Sequence, residues 1–508
     1  MDKSFLLLFF KKEGLPSSSY WWRLGLLSLT LIRLAVAARA PLSADETYYW
    51  VWSRALAAGY LDHPPMVALW IRAGCAVAGH TALGVRLLGP VAALLGTLLL
   101  AKAAEDLAPG RHAGIAAGLL LNATLACNAG AVVMTPDTPL LFFWTAALAA
   151  LARLLRTGHA NWWLAAGLAA GLALDSKYTA ALLGASVVAW LVLVPSARRW
   201  WGAWQLCAAG ALALALFAPV LAWNAAHHWA SFAKQGGRTG DWQPAQALRF
   251  LAELLGGQLG LATPAVAAVF AAGAVRAVRA ARLGRAAAGL LACVILVPAA
   301  VFAQHALGGR VQANWPAVIY PGAALAAACL GAAPVRFWRP AAAFGLAVAA
   351  VVFLQAAAAP FALPRALDFT LIRLAGWSDL AGAVFVAKAR NHADFVAADE
   401  YGLASQLAFR LRGPVLGAEP RWALFNLPRA RMAGRTGLLV RSLRDAGGPD
   451  PRFWQSATPV GDVARGRAGT VAETYRLYLV VPRPDAPPAA LVVLPEPPPL
   501  PPDHLAPG

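Results

Sequence analysis

Charge is scarce in this chain. Asp, Glu, Lys and Arg together make up 13% of its 508 residues, against roughly 25% in an ordinary globular protein. Apolar residues fill 59%, and the mean hydropathy is +0.58. A soluble protein of this composition would expose large apolar patches and aggregate. Hydrophobicity this high also excludes a disordered chain. Cysteine is scarce too. The five, Cys75, Cys127, Cys207, Cys293 and Cys329, are odd in number, form no CxxC and lie in or beside apolar runs. That argues against a disulfide framework or a zinc site and leaves small core residues. Lysine occurs only seven times, so the net charge of +19 is mostly arginine. The basic residues are not gathered into one stripe or tail, which speaks against a nucleic-acid partner. They sit in short clusters between apolar runs, as inside-facing membrane loops do. No repeat of 20–50 residues is visible.

What is present is the pattern of an α-helical polytopic membrane protein. A bilayer core needs roughly 20 apolar residues per helix. The opening FLLLFF is too short to span, and no small-residue cleavage site follows it. Candidate spans are residues 21–40, 83–104, 113–133, 139–155, 162–174, 179–194, 203–223, 251–275, 286–302, 317–333 and 341–359. The expected total is about 11 to 13 transmembrane helices. Basic residues fall on alternate loops. One set holds Lys3, Lys11, Lys12, Arg111, Arg153, Arg156, Arg198, Arg199, Arg276, Arg279, Arg282, Arg285, Arg336 and Arg339. The other loops are longer and less basic, and hold Asp45, Glu46, Asp62, Asp137, Asp175 and Asp241. The positive-inside rule then predicts a cytoplasmic N-terminus and an outer-face C-terminus in a multi-pass membrane protein.

Residues 1–362 are read as the transmembrane domain. Charges, prolines and glycines become frequent in residues 363–482, read as a small α/β domain. Helices are expected at 380–389 and 401–412. Strands are expected at 395–399, near Leu438 and near Tyr478. Residues 483–508 are rich in Pro and Ala and read as a disordered tail.

Four segments could carry chemistry. The first is the loop SADETYYWVWSRALAAGYLDHPPM, residues 43–66. It opens on Asp45-Glu46 and closes on Asp62-His63-Pro64-Pro65, with a helical Tyr/Trp-rich stretch between. The aromatics suit a membrane interface, and Asp45 could simply cap that helix. The second is MTPDTPLLFFW, where Asp137 occupies a tight turn between two spans. Asp favours turns, but a carboxylate at the edge of hydrocarbon is functional by default. The third is LALDSKYTAALL, where Lys177 interrupts a long apolar run. It either snorkels or meets a lipid-attached phosphate. The fourth is GGRVQANWPAVIYP, where Arg310 is a second phosphate candidate and the aromatics anchor at the interface. The His227-His228 pair lacks a third ligand at helical spacing, so it is a weak metal site. Asp45, Asp62, Asp137, Lys177 and Arg310 all fall on one face. Carboxylates there could serve as a general base on an acceptor hydroxyl or amine, and cations could stabilise a departing phosphate.

At these residues the sequence resembles bacterial membrane glycosyltransferases related to the protein O-mannosyltransferases and the lipid A aminoarabinose transferase, which have the GT-C architecture. The resemblance rests on DE…YWVWS…GYLDHPPM, TPDTPL, SKYTA and RVQANWP, and continues into ADEYGLASQLAF, residues 398–409. It implies transfer of a sugar from a polyprenyl-phosphate carrier to a lipid, glycan or protein acceptor on the periplasmic side. It makes Asp45 the base, with Asp62 and Asp137 as further catalytic acids. Glu46, His63, Lys177 and Arg310 are the expected substrate-binding residues. The aminoarabinose branch has a glutamate-lysine pair where this chain has Asp62-His63, so the resemblance does not carry that branch's sugar or acceptor over to this chain. Single-phosphate donors do not demand a metal, and neither metal nor cofactor is expected. The alternative reading is a transporter or flippase for a lipid-linked substrate; such proteins place charges near the midplane and show internal repeats. A non-catalytic scaffold presenting the C-terminal domain is the third.

Overall fold

The computed structural model describes residues 17–110, 113–236, 242–331, 335–432, 434–445, 447–484 and 491–498. FLLLFF, Lys3, Lys11, Lys12, Arg111 and Asp241 lie outside the described residues. The chain folds into a helical bundle followed by a mixed α/β domain packed against one end of it.

Among the described residues, eight helices are long and apolar enough to cross a bilayer, or nine if the pair 178–193 and 195–202, bent by 108°, is one span. Four shorter apolar helices, Met66–Ala78, Ala113–Asn122, Trp162–Leu174 and Trp315–Cys329, complete the set. One of the eight, Phe369–Arg390, belongs to the α/β domain. It breaks before Trp377 at Gly376, whose φ of +75° is left-handed. Its inner face, Trp377, Leu380, Ala381 and Val384, packs with Val396, Leu438 and Val440 of the sheet.

The span expected at 251–275 is instead two helices, Pro244–Ala262 and Pro264–Arg282. Thr263 has φ +65°. A residue before proline is disfavoured in the α region, while Pro264 is well suited to the first turn of the next helix. An apolar window running across the break hid it.

Close packing in the bundle uses small residues. Gly167 and Gly171 lie one turn apart on the helix Trp162–Leu174. A Cβ on them would stand 2.6 Å from Ala209 Cα and 3.0 Å from Ala213 Cα of the helix Trp204–Ala226. This is the small-xxx-small contact by which helices approach in lipid. Inside the first span, the buried Arg33 donates to Asn122 Oδ1 at 2.6 Å and to Asn128 Oδ1 at 3.0 Å.

Among the described residues, the α/β domain has one six-stranded sheet in the order β4-β5-β3-β1-β2-β6. The strands are β1 Phe395–Ala398, β2 Val415–Ala418, β3 Gly437–Ser442, β4 Trp454–Arg467, β5 Thr470–Pro482 and β6 Leu491–Val493. β1 runs parallel to β2 and β3; the outer pairs are antiparallel. The β4–β5 hairpin turns on Ala468-Gly469, both at positive φ, as a two-residue hairpin of type I′ requires. Residues 485–490 and 499–508 of the stretch expected to be a disordered tail, 483–508, lie outside the described residues, and at 491–493 that stretch is the strand β6. Leu491, Val492 and Leu494 are buried, and β6 pairs with β2.

The boundary near residue 362 separates compositions, not cores. The first-loop helix Ala44–Arg54 and the sheet domain share one hydrophobic core. Tyr48, Trp50, Val51 and Trp52 pack with Leu403, Leu407, Val396 and Trp422. The Tyr/Trp-rich stretch is therefore core and not an interfacial belt.

Candidate active site

The site starts at the helix Ala44–Arg54. Its N-cap is Ser43, not Asp45. Ser43 and Glu46 form a capping box, the reciprocal arrangement of S-x-x-E. Asp45 is the second helical residue and carries no capping duty. Its carboxylate is half-buried, and Tyr401 donates to Asp45 Oδ1 at 3.1 Å. Burial raises its pKa above the ordinary carboxylate value; the Tyr401 hydroxyl and the Arg373 guanidinium oppose the rise without cancelling it.

Glu46 lies one residue on and points the other way. It is fully buried. Arg86 Nε meets its Oε1 at 2.6 Å and Arg86 Nη2 its Oε2 at 2.7 Å. The Met134 amide donates to Oε1 at 3.1 Å. Arg86 in turn donates to the Ala40 and Pro41 carbonyls. Glu46 thus pins the first-loop helix, the end of the first span and the turn before Asp137 to one another.

Asp62 closes the loop. It accepts from Lys234, from Arg421 at 3.2 Å and from the Tyr48 hydroxyl at 2.8 Å. Burial pushes its pKa up, but Lys234 and Arg421 outweigh this and hold it below the ordinary range. His63 is half-buried, and its buried Nδ1 has no hydrogen-bond partner among the described residues. Burial, helped by the positive charge of Lys177, brings its pKa down to about 4, so it is neutral near pH 7. The nearby groups acting on it include both Asp62 and Asp137, which sets it between two ion pairs.

Asp137 heads the span Asp137–Thr157. Lys177 Nζ donates to its Oδ1 at 2.7 Å and Asn314 Nδ2 to its Oδ2 at 2.6 Å. Lys177 is 5% exposed and lies 5.8 Å from the Trp315 ring centroid. It turns inward and does not snorkel. Arg310 is placed differently. Its side chain is 68% exposed and pairs with Glu253 at 2.8 Å. A small, largely apolar pocket open to the surface lies beside Thr138, next to Asp137 in sequence, and is lined by Gly89, Gly96, Thr97, Asn122 and Thr145 among others.

The structure thus brings Asp45, Asp62, His63, Asp137 and Lys177 to the end of the bundle that carries the sheet domain. It leaves Arg310 at the surface and gives Glu46 a set of protein partners. It adds Tyr401, Arg421, Lys234 and Asn314, none of which was singled out as a site residue. Tyr401 and Asn314 lie within the quoted ADEYGLASQLAF and RVQANWP segments. Arg421 carries no sequence signal. His227 places Nδ1 2.7 Å from the Trp223 carbonyl. Among the described residues no group of three metal-ligating side chains converges.

Solved structures share this fold. ArnT from Cupriavidus metallidurans, solved in the apo state and bound to undecaprenyl phosphate, superposes with TM-scores of 0.58 and 0.59. The matches cover 91% of this chain and 98% of that one, at 15% and 14% identity. The protein has the GT-C fold. Residues 62–223, about a third of the GT-C chain, match the family described as dolichyl-phosphate-mannose-protein mannosyltransferase. The lipid A galacturonosyltransferase RgtD of Rhizobium johnstonii is 33% identical over 185 residues, which is 36% of this chain and 38% of RgtD. The resemblance to the O-mannosyltransferases therefore holds in sequence over residues 62–223, and that to ArnT holds in fold over 91% of the chain.

Proposed function

We propose that this GT-C protein transfers a sugar from a polyprenyl-phosphate carrier to an acceptor at the sheet-domain end of the bundle. The observation that carries this reading is the carboxylate of Asp45. It is half-buried and, among the described residues, hydrogen-bonded by a single hydroxyl and free of capping and ion-pair duty, whereas Asp62 and Asp137 are clamped by cations. The acceptor oxygen attacks the anomeric carbon as its proton passes to Asp45. The anomeric C–O bond to phosphate breaks, and Lys177 takes up the developing charge on the leaving phosphate. Asp137, itself bonded by Asn314, holds Lys177 in place until then. A lipid acceptor is favoured over a glycan or protein, since the relative RgtD is a lipid A galacturonosyltransferase. The test is incubation of purified protein with radiolabelled polyprenyl-phosphate sugars and lipid acceptors; no transfer from any such donor refutes the reading.

Lys177→Met is expected to weaken donor binding about tenfold to a hundredfold, the worth of a hydrogen bond to a charged group. Arg310→Ala is expected to change it less than about fivefold, because an exposed ion pair contributes little. Direct measurement of donor affinity checks both, and equal effects would remove the distinction drawn here.

The site end is proposed to face the periplasm, with the N-terminus cytoplasmic and the protein in the inner membrane. The alternation of basic loops supports this orientation. A periplasmic reporter fused after Arg365 should be active and one fused within residues 276–285 silent. The reverse pattern would overturn the orientation.

A further inference from the structure

The sheet domain does more than cover the site: it contributes side chains to it. Tyr401, the first residue of the helix Tyr401–Arg410, donates to Asp45 Oδ1 at 3.1 Å. The Arg421 guanidinium lies over the Tyr401 ring, 4.0 Å from its centroid, and donates to Asp62 Oδ2 at 3.2 Å. Glu419 holds Arg421 Nε at 2.7 Å. The Tyr48 ring stands 4.5 Å from that of Tyr401, and its hydroxyl donates to Asp62. The two carboxylates of the first loop are thus linked through the other domain, along Asp45–Tyr401–Arg421–Asp62. The approach is close by construction. A Cβ on Gly402 would stand 2.8 Å from Ala44 Cβ, so only glycine lets this helix start against the helix that bears Asp45. Gln406 fastens it with a bond to the Leu42 carbonyl at 2.9 Å.

We propose that Tyr401 is a positioning residue for Asp45, held by Arg421, and that the reaction centre is therefore shared between the membrane bundle and the sheet domain. The proposal rests on the reading of Asp45 as the base. A carboxylate with one donor has a preferred direction: Tyr401 occupies Oδ1 and leaves Oδ2 for the acceptor hydroxyl. The same hydrogen bond favours the ionised form. The charged or titratable groups that face Asp45 are Tyr401 from the sheet domain, Arg373 from the helix Phe369–Leu374, Glu46 and Tyr49 from its own helix, and Asp62 from the loop. Of these, Tyr401 is the one that hydrogen-bonds it.

Tyr401→Phe removes the hydroxyl and keeps the ring between Tyr48 and Arg421. The expected result is an acid limb of kcat/KM displaced upward by about one pH unit, a kcat lowered about tenfold and an unchanged donor KM. The sign follows from the linkage. Asp45 must be ionised to take the proton, the hydroxyl lowers its pKa, and removing the hydroxyl raises the pH below which activity is lost. Gly402→Val, which wedges the two helices apart without touching either functional group, should move the limb the same way. A residue that only stabilised the fold would lower yield and leave the limb in place. The titration of Asp45 can also be read without substrate, from the infrared carboxylate band lost in Asp45→Asn. If wild-type protein transfers no sugar, the functional reading falls while this band still tests the contact. If the midpoint of the band is the same in wild type and Tyr401→Phe, the positioning role is wrong.

Discussion

Asp45→Asn is expected to abolish transfer while leaving the fold and donor binding nearly intact. Helix capping belongs to Ser43 and Glu46, so the substitution removes no cap. Asparagine keeps the size, and its carbonyl oxygen can still accept from Tyr401. The structural cost is the loss of one negative charge in a first helical turn, about 0.3–1 kcal/mol. The chemical cost is larger. A neutral amide cannot take the acceptor's proton, and general-base catalysis contributes about 10²–10⁴-fold, or about 3–5 kcal/mol of barrier. Turnover at saturating donor, measured beside detergent-extract monodispersity, separates the two. Asp62→Asn and Asp137→Asn should fall between wild type and Asp45→Asn. Each leaves a neighbouring lysine without its carboxylate, so part of their effect is on the fold. A well-folded Asp45→Asn protein retaining more than about a third of wild-type turnover is incompatible with a base at that position. The chemistry would then pass to Asp62 or Asp137.

Much of the architecture was legible because membrane spans announce themselves. An apolar run near 20 residues has few other uses, and the break at Thr263-Pro264 escaped because hydropathy is blind to a dihedral. In the sheet domain β1, β3 and β5 were readable as short apolar runs. The four residues of β2 are buried on both faces, so they show no alternation. The edge strand β4 carries Pro459 and Gly461 at a register shift, which reads as loop, although edges tolerate both. β6 sits in a proline-rich stretch that lacks any strand pattern of its own.

In the site, Asp45, Asp62, Asp137 and Lys177 stood out because charge is rare near hydrocarbon. Their partners did not. Lys234 meets Asp62 across 172 residues of sequence, Tyr401 meets Asp45 across 356 and Arg421 meets Asp62 across 359. No local periodicity encodes contacts at such separations. The capping box S-x-x-E was local and readable. Weighing Asp45 alone as the cap obscured the division of labour between two adjacent acids, one free and one locked.

That division gives the second large effect, in stability instead of rate. Glu46→Gln is expected to destabilise the protein by about 3–5 kcal/mol, the cost of removing one member of a buried ion pair. Glu46 and Arg86 are 0% and 1% exposed, so the stranded guanidinium cannot be rescued by water. Glutamine preserves volume and can still accept one hydrogen bond from Arg86 or the Met134 amide. It supplies no charge, and its NH₂ group faces donors that want an acceptor. Adding Arg86→Met should recover only part of the loss, because Arg86 also satisfies the Ala40 and Pro41 carbonyls. The unfolding midpoint in detergent measures this, and turnover per folded molecule measures the rest. The structure predicts a lower midpoint with turnover per folded molecule close to wild type. The expectation from sequence that Glu46 binds substrate predicts the opposite: an unchanged midpoint and a raised KM. The neighbouring variants Asp45→Asn and Glu46→Gln should therefore have reciprocal phenotypes, one stable and inactive, the other active and unstable. A stable Glu46→Gln protein with impaired substrate binding would mean that the Arg86 pair opens during turnover and that Glu46 reaches the substrate.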